Sequence, residues 1–117
     1  ELAHGWLANG PGQKDVQAKI TAMAKANGVQ AYMRQARMLQ RRKDQQAIMR
    51  RIKQPALVIC GELDGVTTLK RHEFMAELIP YAKLEVVPDA AHVPTLEQPQ
   101  AMTDIFRAWM KQPLVLR

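Results

Sequence analysis

Two side chains in this sequence have the types and the spacing for proton-transfer chemistry. Asp64 lies four residues beyond Cys60, which closes a short apolar run, and His92 lies five residues beyond Val87, which closes another. A carboxylate beside an imidazole holds the ring in one tautomer and stabilises the imidazolium formed when the ring takes a proton. Such a pair is the base-and-orienter half of nucleophilic catalysis. The other half is missing from these residues. The 117 residues contain no serine. Thr67 and Thr68 follow Asp64 without the flanking glycines of a nucleophile turn. Cys60 is the only thiol and reads as a buried packing residue at the end of a strand.

Position decides whether Asp64 and His92 can meet, so the elements around them matter most. Ala56–Cys60 is continuous and rich in branched residues, which suits a strand covered on both faces. A helix is expected next, capped by Thr67 or Thr68, carrying Phe74, Met75, Leu78 and Ile79 and stopped by Pro80. Lys83–Val87 reads as a second strand. A final helix carries Met102, Ile105, Phe106, Trp109 and Met110 on one stripe, with Pro99 in its first turn. The order strand–helix–strand–helix implies parallel strands joined by a right-handed crossover. Both strand ends then fall on the same edge, where open α/β sheets bind ligands.

The first half has a different period. Gly5, Gly10, Pro11 and Gly12 mark a loop with a short helical turn around Trp6. Val16, Ile20, Met23 and Ala24 repeat at helical spacing over Lys14–Ala26, and Asn27-Gly28 ends that helix. Further helices are expected over Val29–Leu39 and Asp44–Ile52, the last with Ala47, Ile48 and Ile52 on one side. The division is residues 1–53, all helical, and residues 54–117, α/β.

Charge divides the chain at nearly the same place. Lys and Arg outnumber Asp and Glu by 11 to 3 in residues 1–56 and are outnumbered 8 to 6 in residues 57–117. The basic run from Arg34 to Lys53 has Tyr32 as its only nearby aromatic, so it lacks a base-stacking platform and reads as a solvated helix face. No nucleic-acid partner is expected. No apolar run reaches the roughly 18 residues of a membrane span, and no membrane partner is expected. A lone cysteine fits a reducing compartment, hence a cytoplasmic location. The start at Glu1 rather than Met suggests a truncated or processed N-terminus.

The run from Ile52 through Pro55-Ala56-Leu57-Val58-Ile59-Cys60-Gly61-Glu62-Leu63-Asp64 resembles the α/β-hydrolase segment that bears the triad acid. Leu84-Glu85-Val86-Val87-Pro88-Asp89-Ala90-Ala91-His92, continuing to Pro99, resembles the family's last strand and histidine loop, with Ala91 where glycine is common. The resemblance covers about residues 50–112. It implies Asp64 as triad acid, His92 as general base, and residues 1–53 as the end of a helical cap. It also implies a nucleophile elbow upstream of Glu1, a small-molecule ester-like substrate, and no metal or organic cofactor. Esterase, lactonase, C–C hydrolase, epoxide hydrolase and dehalogenase chemistry all remain open, the last two through an aspartate nucleophile.

The rival reading is a non-catalytic module that oligomerises through its exposed sheet edge or its helices. Among the other polar residues, His72 reads as structural, Glu62 as a solvated loop residue, and His4 as without a role. Glu97 has two readings, a hydrogen bond near the histidine loop or electrostatic support of the N-terminus of the last helix, and the second is favoured. Met23, Met33, Met38 and Met49 are expected to pack between helices rather than to line an apolar pocket.

Overall fold

The computed structural model describes residues 5–113. His4 lies outside the described residues. The chain runs through helix α1 (Gln13–Arg41), α2 (Gln46–Met49), strand β1 (Ala56–Gly61), α3 (Leu69–Leu78), β2 (Ala82–Val87), a single turn α4 (Pro94–Glu97) and α5 (Pro99–Lys111). No described helix is long and apolar enough to cross a membrane.

β1 and β2 pair in parallel, from Ala56 opposite Ala82 to Gly61 opposite Val87. Their parallel sense follows from the helical crossover α3. Val58 and Cys60 are buried on one face of β1. Ile59, on the opposite face, packs with Val87, Ala90 and Met102 of α5, joined by Ala101 and Ile105. β1 is therefore covered on both sides, as its continuous apolar run implies. The α/β half has the expected strand–helix–strand–helix order, with α4 as an unforeseen extra turn.

The stitching continues past the strand ends. The N–H of Glu62 donates to the Val87 carbonyl at 2.9 Å, and that of Leu63 donates to the Ala90 carbonyl at 2.9 Å. The loops that follow the two strands are thus zipped together before either reaches its chemical residue. Asp89 turns the second loop with φ 53°, a left-handed conformation that Asp tolerates better than most residues.

The helical half packs less than its sequence suggests. Gly28 breaks α1 with φ 77° and ψ 166°, at the stop expected from Asn27-Gly28. Only Val16 of α1 is buried. Met23, Met33 and Met38 are exposed, Met38 at 71%, which corrects the expectation that they pack between helices. α2 is one turn rather than the longer helix expected over Asp44–Ile52, and Ile48 is exposed. Residues around Trp6 form bends, not a helical turn. Phe74 of α3 and Phe106 and Met110 of α5 also face solvent. The radius of gyration, 16.1 Å, exceeds the roughly 13 Å of a compact chain of this length. Helical periodicity marks an apolar side but not what covers it, and here little does.

Candidate active site

Asp64 follows β1 by three residues and makes a tight turn on its own side chain. Its Oδ1 accepts the N–H groups of Val66 at 2.8 Å and Thr67 at 2.9 Å, and its Oδ2 accepts the Thr67 hydroxyl at 3.0 Å. These bonds leave the carboxylate one direction of approach, and His92 takes it. His92 Nδ1 lies 3.1 Å from Oδ2 and 3.2 Å from Oδ1. A carboxylate only accepts, so the bonding pattern assigns the ring proton to Nδ1 and leaves Nε2 with its lone pair. Nε2 is then the nitrogen free to act as a base.

Solvation separates the two partners. The Asp64 side chain is 4% exposed and that of His92 27%. Burial pushes the Asp64 carboxyl up, but the Thr67 N–H, His92, the Val66 N–H and the Thr67 hydroxyl outweigh it and hold the group below the usual carboxylate range. An ionised, immobile carboxylate is what an orienting acid requires.

The N-terminal loop completes the site. The His92 N–H donates to the Trp6 carbonyl at 3.0 Å, and the Gly65 N–H donates to the Gly5 carbonyl at 3.2 Å. The Trp6 ring sits edge-on to the imidazole, with centroids 5.0 Å apart. Nothing in the sequence around Trp6 signals this, because the contact joins distant parts of the chain.

Two expectations about polar residues change. Thr68 occupies the N-cap of α3 but makes no side-chain cap bond, and the Thr67 hydroxyl serves Asp64 instead. For Glu97 the hydrogen-bonding alternative near the histidine loop is the one found. Its carboxylate accepts backbone N–H groups from Ala8, Ala91 and Val93, because α4 turns the side chain back toward the histidine loop. Glu62 is exposed, as expected. His72 Nδ1 lies 3.1 Å from the Thr68 carbonyl, which ties the ring to its own helix.

Cys60, Asp64 and His72 each bring one potential ligand atom within 4.8 Å of the others. The donor set does not suit a metal. Burial, then the charges of Asp64 and Glu73, push the Cys60 thiol up, whereas metal binding requires a thiolate. Both Asp64 oxygens are already committed to hydrogen bonds. A cleft of about 750 Å³ opens at the α1 kink beside Thr21, Gly28, Val29 and Tyr32, but neither Asp64 nor His92 lines it.

No family model matches the sequence. Two proteins of Acinetobacter baylyi are similar to it. The chain is 42% identical to 3-oxoadipate enol-lactonase 2 over 64 residues, which is 55% of this chain and 24% of that protein. It is 40% identical to 3-oxoadipate enol-lactonase 1 over 57 residues, 49% of this chain and 21% of that protein. The chain thus spans less than a quarter of the length of these curated relatives. A thermophilic esterase from Thermogutta terrifontis superposes with a TM-score of 0.59 at 34% identity, over 61% of this chain and 26% of that one. A 2-hydroxy-6-oxo-6-phenylhexa-2,4-dienoate hydrolase from Rhodococcus sp. strain RHA1 matches 95% of this chain and 42% of that one with a TM-score of 0.66. At 20% identity that likeness shows the fold alone. Topology, register and these likenesses agree: the chain carries the C-terminal portion of an α/β-hydrolase fold.

Proposed function

We propose that this chain supplies the general base, His92, and its orienting acid, Asp64, for hydrolysis of a carboxylic ester or lactone. The observation that carries the reading is the contact of His92 Nδ1 with both oxygens of a buried, hydrogen-bonded Asp64 carboxylate at the rim of a parallel sheet. In the reaction Nε2 takes the proton of the attacking hydroxyl and later returns it to the leaving group. Asp64 keeps the ring in the tautomer that leaves Nε2 free and stabilises the transient imidazolium.

The attacking group is not among these residues. There is no serine, Cys60 is 1% exposed with its thiol pushed up, and the Thr67 hydroxyl is spent on Asp64. In this reading residues 1–53 are a cap-like segment, residues 54–117 are part of the core, and the substrate is a small molecule. No cofactor takes part in this reading, and the compartment is the cytoplasm. By itself the chain is expected to cleave p-nitrophenyl acetate no faster than an equal concentration of free imidazole. In a longer form of the protein that carries a nucleophile, turnover appears and falls by about 10⁶-fold in His92→Ala. Undiminished turnover in that variant would remove His92 from the mechanism.

A second reading, self-association without catalysis, is favoured by the exposed apolar surface. Val29 and Tyr32 are each 72% exposed, and the described sheet has only two strands. Exposed apolar area of this kind and unpaired strand edges both favour pairing with another chain. Sedimentation is expected to give a dimer or larger species. A monomer across the full concentration range would count against this reading.

A further inference from the structure

We infer that Glu97 is a positioning residue for His92, acting by collecting the backbone N–H groups on both sides of it. The inference rests on the reading of His92 as the base. Oε2 of Glu97 accepts the N–H of Ala91 at 3.0 Å and that of Val93 at 3.1 Å. The N–H between them, that of His92, goes to the Trp6 carbonyl at 3.0 Å. Three consecutive amides are therefore held, alternately by one carboxylate and by the N-terminal loop. Oε1 of the same carboxylate accepts the Ala8 N–H at 2.7 Å and so anchors that loop as well.

The local sequence makes this reach available. Val93 is the N-cap of α4 and Pro94 opens it, where the missing proline N–H costs nothing. The Glu97 N–H donates to the Val93 carbonyl at 3.1 Å while its side chain accepts the Val93 N–H. The exchange is reciprocal, like a capping box made one residue later. Hydrogen bonds to an ionised acceptor are the stronger kind. Without them the segment keeps the His92 N–H bond to Trp6 and the Leu63 bond to Ala90, but loses the two amide anchors that flank the imidazole. A reacting group on such a loop loses the fixed geometry that proton transfer needs.

Two measurements on the chain test this: ring ¹⁵N shifts of His92, which report the tautomer, and exchange rates of the loop amides. In Glu97→Ala the Ala91 and Val93 amides are expected to exchange roughly 10- to 100-fold faster, the factor for losing one hydrogen bond to a charged group. The Nδ1–H tautomer gives way to a mixture, while exchange in β1 is unchanged. Glu97→Gln keeps an oxygen for Ala91 and Val93 but turns its amide nitrogen to the Ala8 N–H, so it restores both signals in part. Glu97→Asp keeps the charge but falls short, and does not restore them. Wild-type tautomer and exchange in Glu97→Ala would overturn the inference. So would rescue by Asp and not by Gln, which would mark a role through charge alone. If Glu97→Ala does not fold, the Gln and Asp variants carry the same comparison. Asp64→Asn separates the two levels: a wild-type tautomer there defeats the Asp64–His92 reading itself. A changed tautomer there with an unchanged one in Glu97→Ala defeats only the role of Glu97.

Discussion

Replacing Asp64 with asparagine moves the His92 ring proton from Nδ1 to Nε2. The asparagine oxygen still accepts the N–H groups of Val66 and Thr67, which both point at Oδ1. Its amide nitrogen then occupies the Oδ2 position, 3.1 Å from His92 Nδ1, and donates to it. Nδ1 becomes an acceptor, and the lone pair needed for base chemistry leaves Nε2. In a form of the protein that carries a nucleophile, the expected cost is about 10⁴-fold in kcat, the usual result of a wrong tautomer held in otherwise intact geometry. The same variant changes acid stability. Asp64 is held below its ordinary value in the folded protein, so its stabilisation is complete above the unfolded pKa of about 3.9. That stabilisation is lost as pH falls from there through the folded value. Asparagine does not titrate, so acid denaturation below about pH 4 should be shallower in the variant. Ring ¹⁵N spectra and acid titrations followed by circular dichroism check both outcomes. An unmoved ring proton would show that Asp64 does not orient His92.

Gly61→Ala is expected to be the most damaging single methyl group. A Cβ built on Gly61 would collide with the Ala91 carbonyl oxygen and lie 2.6 Å from that of Ala90 and 2.8 Å from the Ala90 carbonyl carbon. All three atoms are backbone, so no side chain can swing aside. The 90–91 segment must move, and it leads directly into His92. Overpacking usually costs about 1–3 kcal/mol, and a clash against backbone belongs at or above the top of that range. Against the total stability of about 5–15 kcal/mol usual for a domain, that is a large fraction. The buried core is also small: Val87 and Cys60 are its largest fully buried side chains. Urea unfolding should show a midpoint lowered by the equivalent of about 3 kcal/mol, with shifted amide resonances at Ala91 and His92. A midpoint unchanged from wild type would mean that the two loops are not packed as described.

Much of the α/β half was legible in the residues. A short run of branched apolar side chains forms a covered strand, Pro80 stops a helix, and Pro99 opens one, because each effect acts within a few positions of its cause. Asp64 and His92 were legible for a related reason. Once a crossover helix makes two strands parallel, residues just beyond their ends reach the same rim. Gly28 was likewise readable, since a left-handed turn is a property of the residue itself.

Other features depended on partners far away in the chain. For Glu97 the favoured reading is charge at a helix end, with a hydrogen bond near the histidine loop as the alternative, and the structure shows the alternative. It serves three backbone N–H groups, one of them at Ala8, 89 positions earlier. Trp6 carried no local signal, yet its carbonyl and its ring both meet His92. Burial was the least legible property. Phe106 and Met110 lie on an apolar stripe but face solvent, because a stripe marks the side that prefers cover without supplying the neighbour. Sequence determined the two strands, the helices that follow them, and the rim at which Asp64 and His92 meet. The tertiary structure decided which partners hold the backbone amides around His92, since hydrogen-bond partners are chosen by proximity in space and not along the chain.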